Sequence, residues 1–144
     1  MEGIIEELEF GSCLYQEALA LRKVILRDPL GIDWTEEERR ADPGDRHFGL
    51  LEGGAVVACL SFRDTGLGRK LRQMAVREDR QGSGCGRCLM EQVCAKLRDE
   101  GISEVFLHAR EPVVGFYEAL GFERVGERFH EVGIPHWRME IVLR

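Results

Sequence analysis

The stretch that decides the fold of this chain is Arg80-Gln81-Gly82-Ser83-Gly84-Cys85-Gly86-Arg87, which lies between a strand-like segment and an amphipathic helix. Glycines at alternate positions let successive backbone N–H groups face one concavity, and the following helix adds the positive end of its dipole. Such a loop holds an anion, and a pyrophosphate fits it best. An ordinary strand-to-helix turn does not need three alternate glycines, because each of them costs backbone entropy on folding.

Length and composition indicate one domain over residues 1–144. Of the 144 residues, 44% are hydrophobic and 32% are charged, which is typical of a globular protein. A chain of this length removes about 68–70% of its unfolded surface from water, enough for a single core. A membrane span needs about 20 consecutive apolar residues, and none is expected here. The N-terminal residues lack the basic start and apolar stretch of a signal peptide, so the sequence predicts a cytoplasmic location.

Charge and cysteine content limit the kinds of ligand and cross-link that the chain is expected to have. The net charge of -6 disfavours nucleic acid, although several arginines near the glycine loop favour a local anion site. Five cysteines without a secretion signal predict free thiols rather than a disulfide framework. Cys85 and Cys88 fall on the apolar face of the predicted helix, and no second Cys or His pair stands at matching spacing. Together with the four histidines, which show no metal spacing, this pattern predicts no metal site.

Hydrophobic periodicity predicts the element order β-α-α-β-β-β-α-β-α-β-β. The predicted strands cover residues 4–10, 47–51, 55–62, 71–76, 105–109, 122–129 and 137–143. Helices are predicted after Ser12, near Thr35, after the glycine loop and from Pro112. Because no internal repeat or linker is found, we expect a single α/β (α+β) domain in which one mixed sheet carries helices on its faces.

Three kinds of phosphate site compete at the loop. A P-loop needs a lysine after its last glycine, which this loop lacks. A dinucleotide fold needs Gly-x-Gly-x-x-Gly, whereas the chain has Gly82-x-Gly84-x-Gly86, so a dehydrogenase is a distant alternative. The third pattern, Gln/Arg-x-x-Gly-x-Gly/Ala, is met by the residues from Gln81 to Gly86.

Two motifs in order carry a family resemblance. The first is the strand residues Met74-Ala75-Val76 with the glycine loop, and the second is Phe116-Tyr117-Glu118-Ala119-Leu120-Gly121-Phe122 on the helix after the next strand. With both motifs the chain resembles the GNAT superfamily of acyl-CoA N-acyltransferases over nearly its whole length. The ending Gly133-Ile134-Pro135-His136 is similar to that of a bacterial group of predicted acetyltransferases. The resemblance implies a GNAT-like, mainly antiparallel mixed sheet with helices on both faces, and acetyl-CoA as co-substrate.

The family's cofactor contacts can be carried onto this chain. In the family, the strand before the loop separates from its neighbour and its backbone holds the pantetheine arm. The resemblance assigns that role to Met74, Ala75 and Val76, and pyrophosphate binding to Gln81, Gly82, Ser83, Gly84, Cys85, Gly86 and Arg87. Arg110 stands where many relatives have an asparagine facing the cofactor. An arginine there pairs with a cofactor phosphate or the oxyanion, or is a surface charge.

Catalytic roles follow from the same resemblance. Tyr117 matches the tyrosine that protonates the leaving thiolate, and a phenol pKa of about 10 against a thiol pKa of about 8.5 makes that transfer nearly balanced. The alternative for Tyr117 is a core aromatic. Relatives that modify peptides carry a glutamate on the strand before the loop, but residues 69–73 hold no carboxylate. His136 is the leading candidate for the general base, with Glu131, His108 or a relayed water as alternatives.

The function implied is an acetyl-CoA-dependent N-acetyltransferase that moves an acetyl group directly to a primary amine. An acetyl-cysteine intermediate at Cys85 or Cys88 is disfavoured, because a thiol on the apolar face of the predicted helix has poor access to the thioester. A non-catalytic acyl-CoA sensor is the alternative from another class, motivated by the missing strand glutamate. A small-molecule amine and a peptide both remain open as acceptors, as does a homodimer.

Overall fold

A single seven-stranded sheet organises the chain. The computed structural model describes residues 3–66 and 68–144, so Met1, Glu2 and Leu67 lie outside the description. Within the described residues, the strands are β1 (Ile4–Leu8), β2 (Arg46–Glu52), β3 (Ala55–Asp64), β4 (Arg69–Val76), β5 (Glu104–Arg110), β6 (Glu123–Glu131) and β7 (Ile134–Val142). The helices are α1 (Cys13–Arg22), α2 (Glu36–Ala41), α3 (Cys85–Asp99) and α4 (Val114–Ala119).

The topology confirms the predicted element order and the mixed, mainly antiparallel sheet. The strands are arranged β1-β2-β3-β4-β5-β7-β6. Every neighbouring pair is antiparallel except β4 and β5, which are parallel. The parallel pair arises because α3 carries the chain from the end of β4 back to the start of β5.

Helices cover both faces of the sheet, as predicted. Val57 of β3 packs in the larger core cluster with Leu89 and Val93 of α3. Its neighbour Val56 packs in a second cluster with Ala18 of α1. Because successive residues of a strand point to opposite faces, α1 and α3 lie on opposite sides of the sheet.

The last hairpin differs from its predicted boundaries. The prediction ended one strand at residue 129 and began the next at residue 137, but β6 continues to Glu131 and β7 begins at Ile134. The intervening Val132 and Gly133 have φ angles of 46° and 75°, which suit a two-residue hairpin turn. His136 therefore lies within β7, opposite Phe129, and not in a turn after the Ile-Pro step.

A buried ionic network ties α1 and the turn after α2 to β4. The Arg22 guanidinium donates to the two carboxylate oxygens of Asp42 at 3.0 and 2.9 Å, and the Tyr15 hydroxyl donates to the same carboxylate. One ring nitrogen of His47 lies 2.8 Å from the backbone carbonyl of Asp42. The Nε of Arg22 donates to the side chain of Gln73 in β4 at 3.4 Å. The network fixes the segment between α1 and β2 against the sheet.

We expect Asp42→Ala to reduce the free energy of unfolding by about 3–5 kcal/mol, because it leaves a buried arginine without its partner. Asp28→Ala is the matched control, since Asp28 pairs with Lys23 in an exposed bridge and such pairs contribute about 0–1 kcal/mol. Urea denaturation measures both changes. Equal losses in the two variants would mean that the buried network does not hold this segment.

The same carboxylate makes stability depend on pH. Burial alone would raise the pKa of Asp42, but hydrogen bonds from Arg22 and Tyr15 outweigh it and hold the pKa below its usual value. Its stabilising contribution is therefore complete above the unfolded pKa of about 3.9 and is lost as pH falls through the lower folded value.

Candidate active site

The sheet opens between β4 and β5. The two strands pair at Lys70 with Phe106 and at Leu71 with Leu107. Beyond these pairs, β4 continues to Val76 and β5 continues to Arg110. Over these stretches of the described chain the two strands no longer pair with each other. The diverging strands leave backbone N–H and C=O groups along one edge of β4 available to a ligand. We call this divergence the strand gap.

A β-bulge in β4 lies beside the strand gap. Arg72 lies opposite Ser61 and Ala75 lies opposite Cys59, so Gln73 and Met74 together face a single residue of β3. Gln73 has a φ angle of 57°, an uncommon conformation for a residue other than glycine. Bulges bend a strand and re-aim its side chains, and they are frequent beside active sites.

A cavity of about 900 Å³ passes through the strand gap. The glycine loop lines one part of it, and Met74, Val76 and Tyr117 line a second part. A third part is polar and is formed by Lys70, His108, Arg110, Glu131 and His136. We call these last five residues the polar wall. The segment after α1, residues 25–27, lines the cavity as well.

The glycine loop has the conformation that the sequence predicts for an anion site. Gly82 and Gly84 have φ angles of 77° and 89°, which side chains with a Cβ rarely adopt. In the part of the chain that the structure describes, no side chain caps the start of α3. The first N–H groups of a helix have no partner inside the helix, so those of Gly86 and Arg87 are available to an anion.

Gly86 is required for a different reason, which is close packing. A Cβ on Gly86 would lie 3.0 Å from Cε of Met74, 3.3 Å from Cζ of Phe116 and 3.4 Å from a methyl group of Val76. The absence of a side chain lets the first turn of α3 approach β4 and α4 beside the cavity.

Most of the predicted cofactor residues line the cavity, but three do not contribute their side chains. Met74, Val76, Gln81, Gly82, Gly84, Gly86, Arg87 and Arg110 are among the lining residues. Ala75 instead packs in the cluster with α1. Ser83 turns its hydroxyl to the Arg80 carbonyl, and the Cys85 thiol lies 3.7 Å from a carboxylate oxygen of Glu52. Among the described residues, these three lie outside the lining, so any contact they make there is through the backbone.

The arginines predicted to surround the loop are largely neutralised by carboxylates. Arg80 donates to Glu52 at 2.7 Å, and Arg72 donates to the buried Asp45 at 2.8 Å. Arg87 keeps only an exposed contact of 3.5 Å with Glu91, one helical turn along α3. The backbone N–H groups and Arg87 are therefore the main donors for an anion at the loop.

Tyr117 reaches the middle of the cavity from α4. Its hydroxyl lies 3.5 Å from the sulfur of Met74, and its ring packs edge-on against Phe116 and Phe122. Burial raises the pKa of Tyr117 to about 12. The phenol is thus fully protonated at neutral pH, and it is a weaker acid than the unperturbed value of about 10 implies.

His136 presents a basic nitrogen in the polar wall. Its Nδ1 lies 2.8 Å from the Ile134 carbonyl, which can only accept a hydrogen bond, so Nδ1 carries the hydrogen. In the neutral ring Nε2 then holds the lone pair, and it lies 3.6 Å from a carboxylate oxygen of Glu131. The residue is only 4% exposed. A fixed tautomer beside a carboxylate is an arrangement suited to a general base.

Glu131 is the acidic centre of the polar wall. Its second oxygen lies 3.2 Å from Nδ1 of His108, and Nζ of Lys70 lies 3.1 Å from the same nitrogen. The hydrogen bond from His108 lowers the pKa of Glu131 to about 2, with help from Lys70 and His136, so this carboxylate is charged at neutral pH. One ring nitrogen cannot donate to Glu131 and accept from Lys70 at once, so the tautomer of His108 decides which of the two contacts is a hydrogen bond.

Lys70, Arg27 and Glu38 are among the lining residues that were not predicted as site residues from the sequence. Lys70 belongs to the polar wall, and burial lowers its pKa. Arg27 and Glu38 line the cavity from the region between α1 and β2 and pair at 2.6 Å. The sequence offered little indication that Arg27 and Glu38 belong to the site, since the capping box with Thr35 already explains Glu38.

Within residues 3–66 and 68–144, no group of three or more His, Cys, Asp or Glu side chains is placed to hold a metal ion. Over the same residues, no helix is long and apolar enough to cross a membrane.

Comparison with known proteins identifies the family. The family model described as "Acetyltransferase (GNAT) domain" matches residues 32–143, so the chain belongs to the GNAT acetyltransferase family. The chain is 27% identical over 134 residues to the uncharacterized N-acetyltransferase YitI of Bacillus subtilis, and the match covers 88% of this chain and 90% of that protein. The predicted family resemblance is confirmed.

Solved structures show the same fold. The ribosomal-protein-S18-alanine N-acetyltransferase of Escherichia coli superposes with a TM-score of 0.78 at 20% identity, covering 98% of this chain and 94% of that one. A GNAT family acetyltransferase of Elizabethkingia anophelis, solved with acetyl-CoA bound, gives a TM-score of 0.75 at 16% identity and covers 98% of both chains.

Proposed function

We propose that this protein is an acetyl-CoA-dependent N-acetyltransferase that moves the acetyl group directly to a primary amine, and that it works in the cytoplasm. The observation that carries the proposal is that one cavity joins the glycine loop, the Tyr117 hydroxyl and the basic nitrogen of His136. The loop supplies donors for an anion, and the other two groups are an acid and a base. The acetyl-CoA bound to one structural relative supports the choice of donor.

The residues present fit an acyl-CoA. The backbone N–H groups of Gly86 and Arg87 at the uncapped start of α3 can donate to a pyrophosphate, and the open edge of β4 at Met74 and Val76 offers main-chain partners to an extended arm. When bound, acetyl-CoA supplies an activated thioester. The cavity of about 900 Å³ is large for a small ligand site and has space for both an extended arm and an acceptor.

The two catalytic side chains transfer different protons: His136 acts on the attacking amine, and Tyr117 acts on the leaving sulfur. A new C–N bond forms as the C–S bond breaks. A primary amine that arrives as an ammonium first releases one proton to solvent. Nε2 of His136 then takes the second proton as the C–N bond forms, and Glu131 stabilises the resulting imidazolium. The Tyr117 hydroxyl donates its proton to the leaving sulfur. The imidazolium then releases a proton to solvent and the phenolate takes one up, which restores both groups.

The raised pKa of Tyr117 changes how the acid acts. A phenol with a pKa of about 12 is not balanced against a free thiol near 8.5, so complete transfer to a solvated thiolate is unfavourable. In the buried gap, however, the thiolate also loses hydration and becomes more basic. We infer that the hydroxyl stabilises the departing sulfur by a hydrogen bond and completes the transfer as the charge develops.

Thiol release from acetyl-CoA in the presence of a panel of amines tests the function. We expect release that depends on one class of amine, with mass spectrometry detecting one acetyl group on that amine. Tight binding of acetyl-CoA without release on any amine or peptide would contradict the proposal and favour the acyl-CoA sensor.

A further inference from the structure

Arg110 is a cation of the cavity that has no acidic partner among the described residues. Its guanidinium donates to the Leu26 carbonyl at 3.1 Å, and in the described chain it makes no ion pair. Of the other lining cations outside the glycine loop, Arg72 is paired with Asp45 and Arg27 with Glu38. Lys70 makes no ion pair among the described residues either, but its Nζ lies 3.1 Å from a ring nitrogen of His108. Burial and repulsion by Arg27 both lower the pKa of Arg110, and Glu131 compensates for only part of this effect.

Arg27 approaches the same point from the segment after α1. Its Nη1 donates to the Leu26 carbonyl at 3.4 Å, so two guanidinium groups share one neutral oxygen. Arg27 is only 9% exposed, and its Nε is a buried donor with no partner among the described residues. Buried donors without an acceptor are uncommon in folded proteins, and an anion placed between these two cations would satisfy both.

The cationic pair adjoins the proposed base. Arg110 of β5 lies directly opposite His136 of β7. Residues opposite each other in an antiparallel pair point to the same face, with Cα atoms about 4.5–5.5 Å apart. Glu131, which is charged at neutral pH, lies beside His136. The wall thus offers positive charge to an anion and negative charge to an ammonium at neighbouring positions.

We propose that the acceptor is a free amino acid, whose carboxylate binds Arg110 and Arg27 while its ammonium lies against Glu131 and His136. This inference rests on the proposed function. Only a small zwitterion carries both charges within the spacing of one residue pair. A polyamine would bring unmatched positive charge to a wall that already holds Lys70 and Arg110, and a peptide N-terminus has no carboxylate beside its amine.

The proposal revises the role of Arg110. The sequence left Arg110 as a partner of a cofactor phosphate or the oxyanion, or as a surface charge, whereas its position opposite His136 favours the acceptor side. Both roles use the same chemistry, the binding of an anion by a guanidinium. The anion could come from the cofactor or from the acceptor. In the first case Arg110 controls KM for acetyl-CoA, and in the second it controls KM for the acceptor.

Matched ligands and two variants separate these sources. Each test amino acid is compared with its amide and with its decarboxylated amine, first by calorimetric binding to the protein saturated with CoA and then by rate of acetylation. We expect the free acid to bind the wild type at least about 10-fold more tightly than either analogue. Arg110→Gln is expected to raise KM for the acid about 10- to 100-fold, with KM for acetyl-CoA nearly unchanged.

Arg128→Gln is the control, because Arg128 is an exposed arginine of β6 outside the cavity lining. It removes the same charge and is expected to behave as the wild type in both constants. If Arg110→Gln raises KM for acetyl-CoA and leaves that for the amino acid unchanged, the anion belongs to the cofactor and the proposal is overturned.

Binding and turnover together distinguish failure of this inference from failure of the proposed function. Amino acids that bind but are not acetylated would contradict the function and support the carboxylate site. Amines without a carboxylate that are acetylated faster than the matched acids would support the function and contradict the site. An absence of both binding and turnover across the set would contradict both.

Discussion

Tyr117→Phe is expected to lower kcat about 100- to 10,000-fold, the contribution typical of a positioned general acid. The hydroxyl at 3.5 Å from the Met74 sulfur is the polar atom that this substitution removes, and the ring keeps its packing against Phe116 and Phe122. KM for acetyl-CoA should therefore change little. Steady-state kinetics across pH measure both constants.

Tyr15→Phe is the matched control, because Tyr15 is the other tyrosine of the chain and its hydroxyl donates to Asp42 away from the cavity. This variant is expected to lose stability, while its kcat per folded molecule stays near that of the wild type. Full turnover by Tyr117→Phe at every pH would show that the sulfur receives its proton from another donor.

His136→Gln is expected to lower kcat/KM about 100- to 10,000-fold, because it removes the basic nitrogen of the polar wall. Removal of a general base should also change the dependence of kcat/KM on pH, which is measured for the wild type and the variant. Nδ1 of His136 also donates to the Ile134 carbonyl, and this contact is lost with the ring. The pH profile distinguishes loss of a base from a structural defect.

His130→Gln serves as the control for this experiment. His130 belongs to the same hairpin and is exposed, outside the cavity lining. Its substitution should leave the pH profile unchanged. An unaltered pH profile in His136→Gln would transfer the base role to Glu131, His108 or a water.

Features that depend on local backbone chemistry were predictable from the sequence. The glycine loop can be recognised from the sequence, because positions that adopt positive φ angles favour glycine, as at Gly82 and Gly84. A strand and a helix flank the loop. The apolar spacing around Tyr117 likewise predicts its helix, and the two motifs together led to the family. The element order followed from the same periodicity.

Features that depend on strand register were not predictable. The polar wall draws residues from β4, β5, β6 and β7, and its geometry arises only when His136 pairs opposite Arg110 and Phe129. Moving a strand boundary by a few residues, as happened at Ile134, changes which side chains share a face. The Arg22–Asp42 network was equally hidden, because its members lie far apart in the chain and only burial brings the two charges together.

Acetyl transfer in a single turnover tests the central claim most directly. Excess protein is mixed with acetyl-CoA that carries an isotopic label in its acetyl group, together with the amines that release thiol in the panel, and the label is followed by mass spectrometry. The account predicts that the label appears on the amine nitrogen without first appearing on the protein. Label on a cysteine, or label that stays on bound acetyl-CoA whatever the amine, would contradict direct transfer through the strand gap.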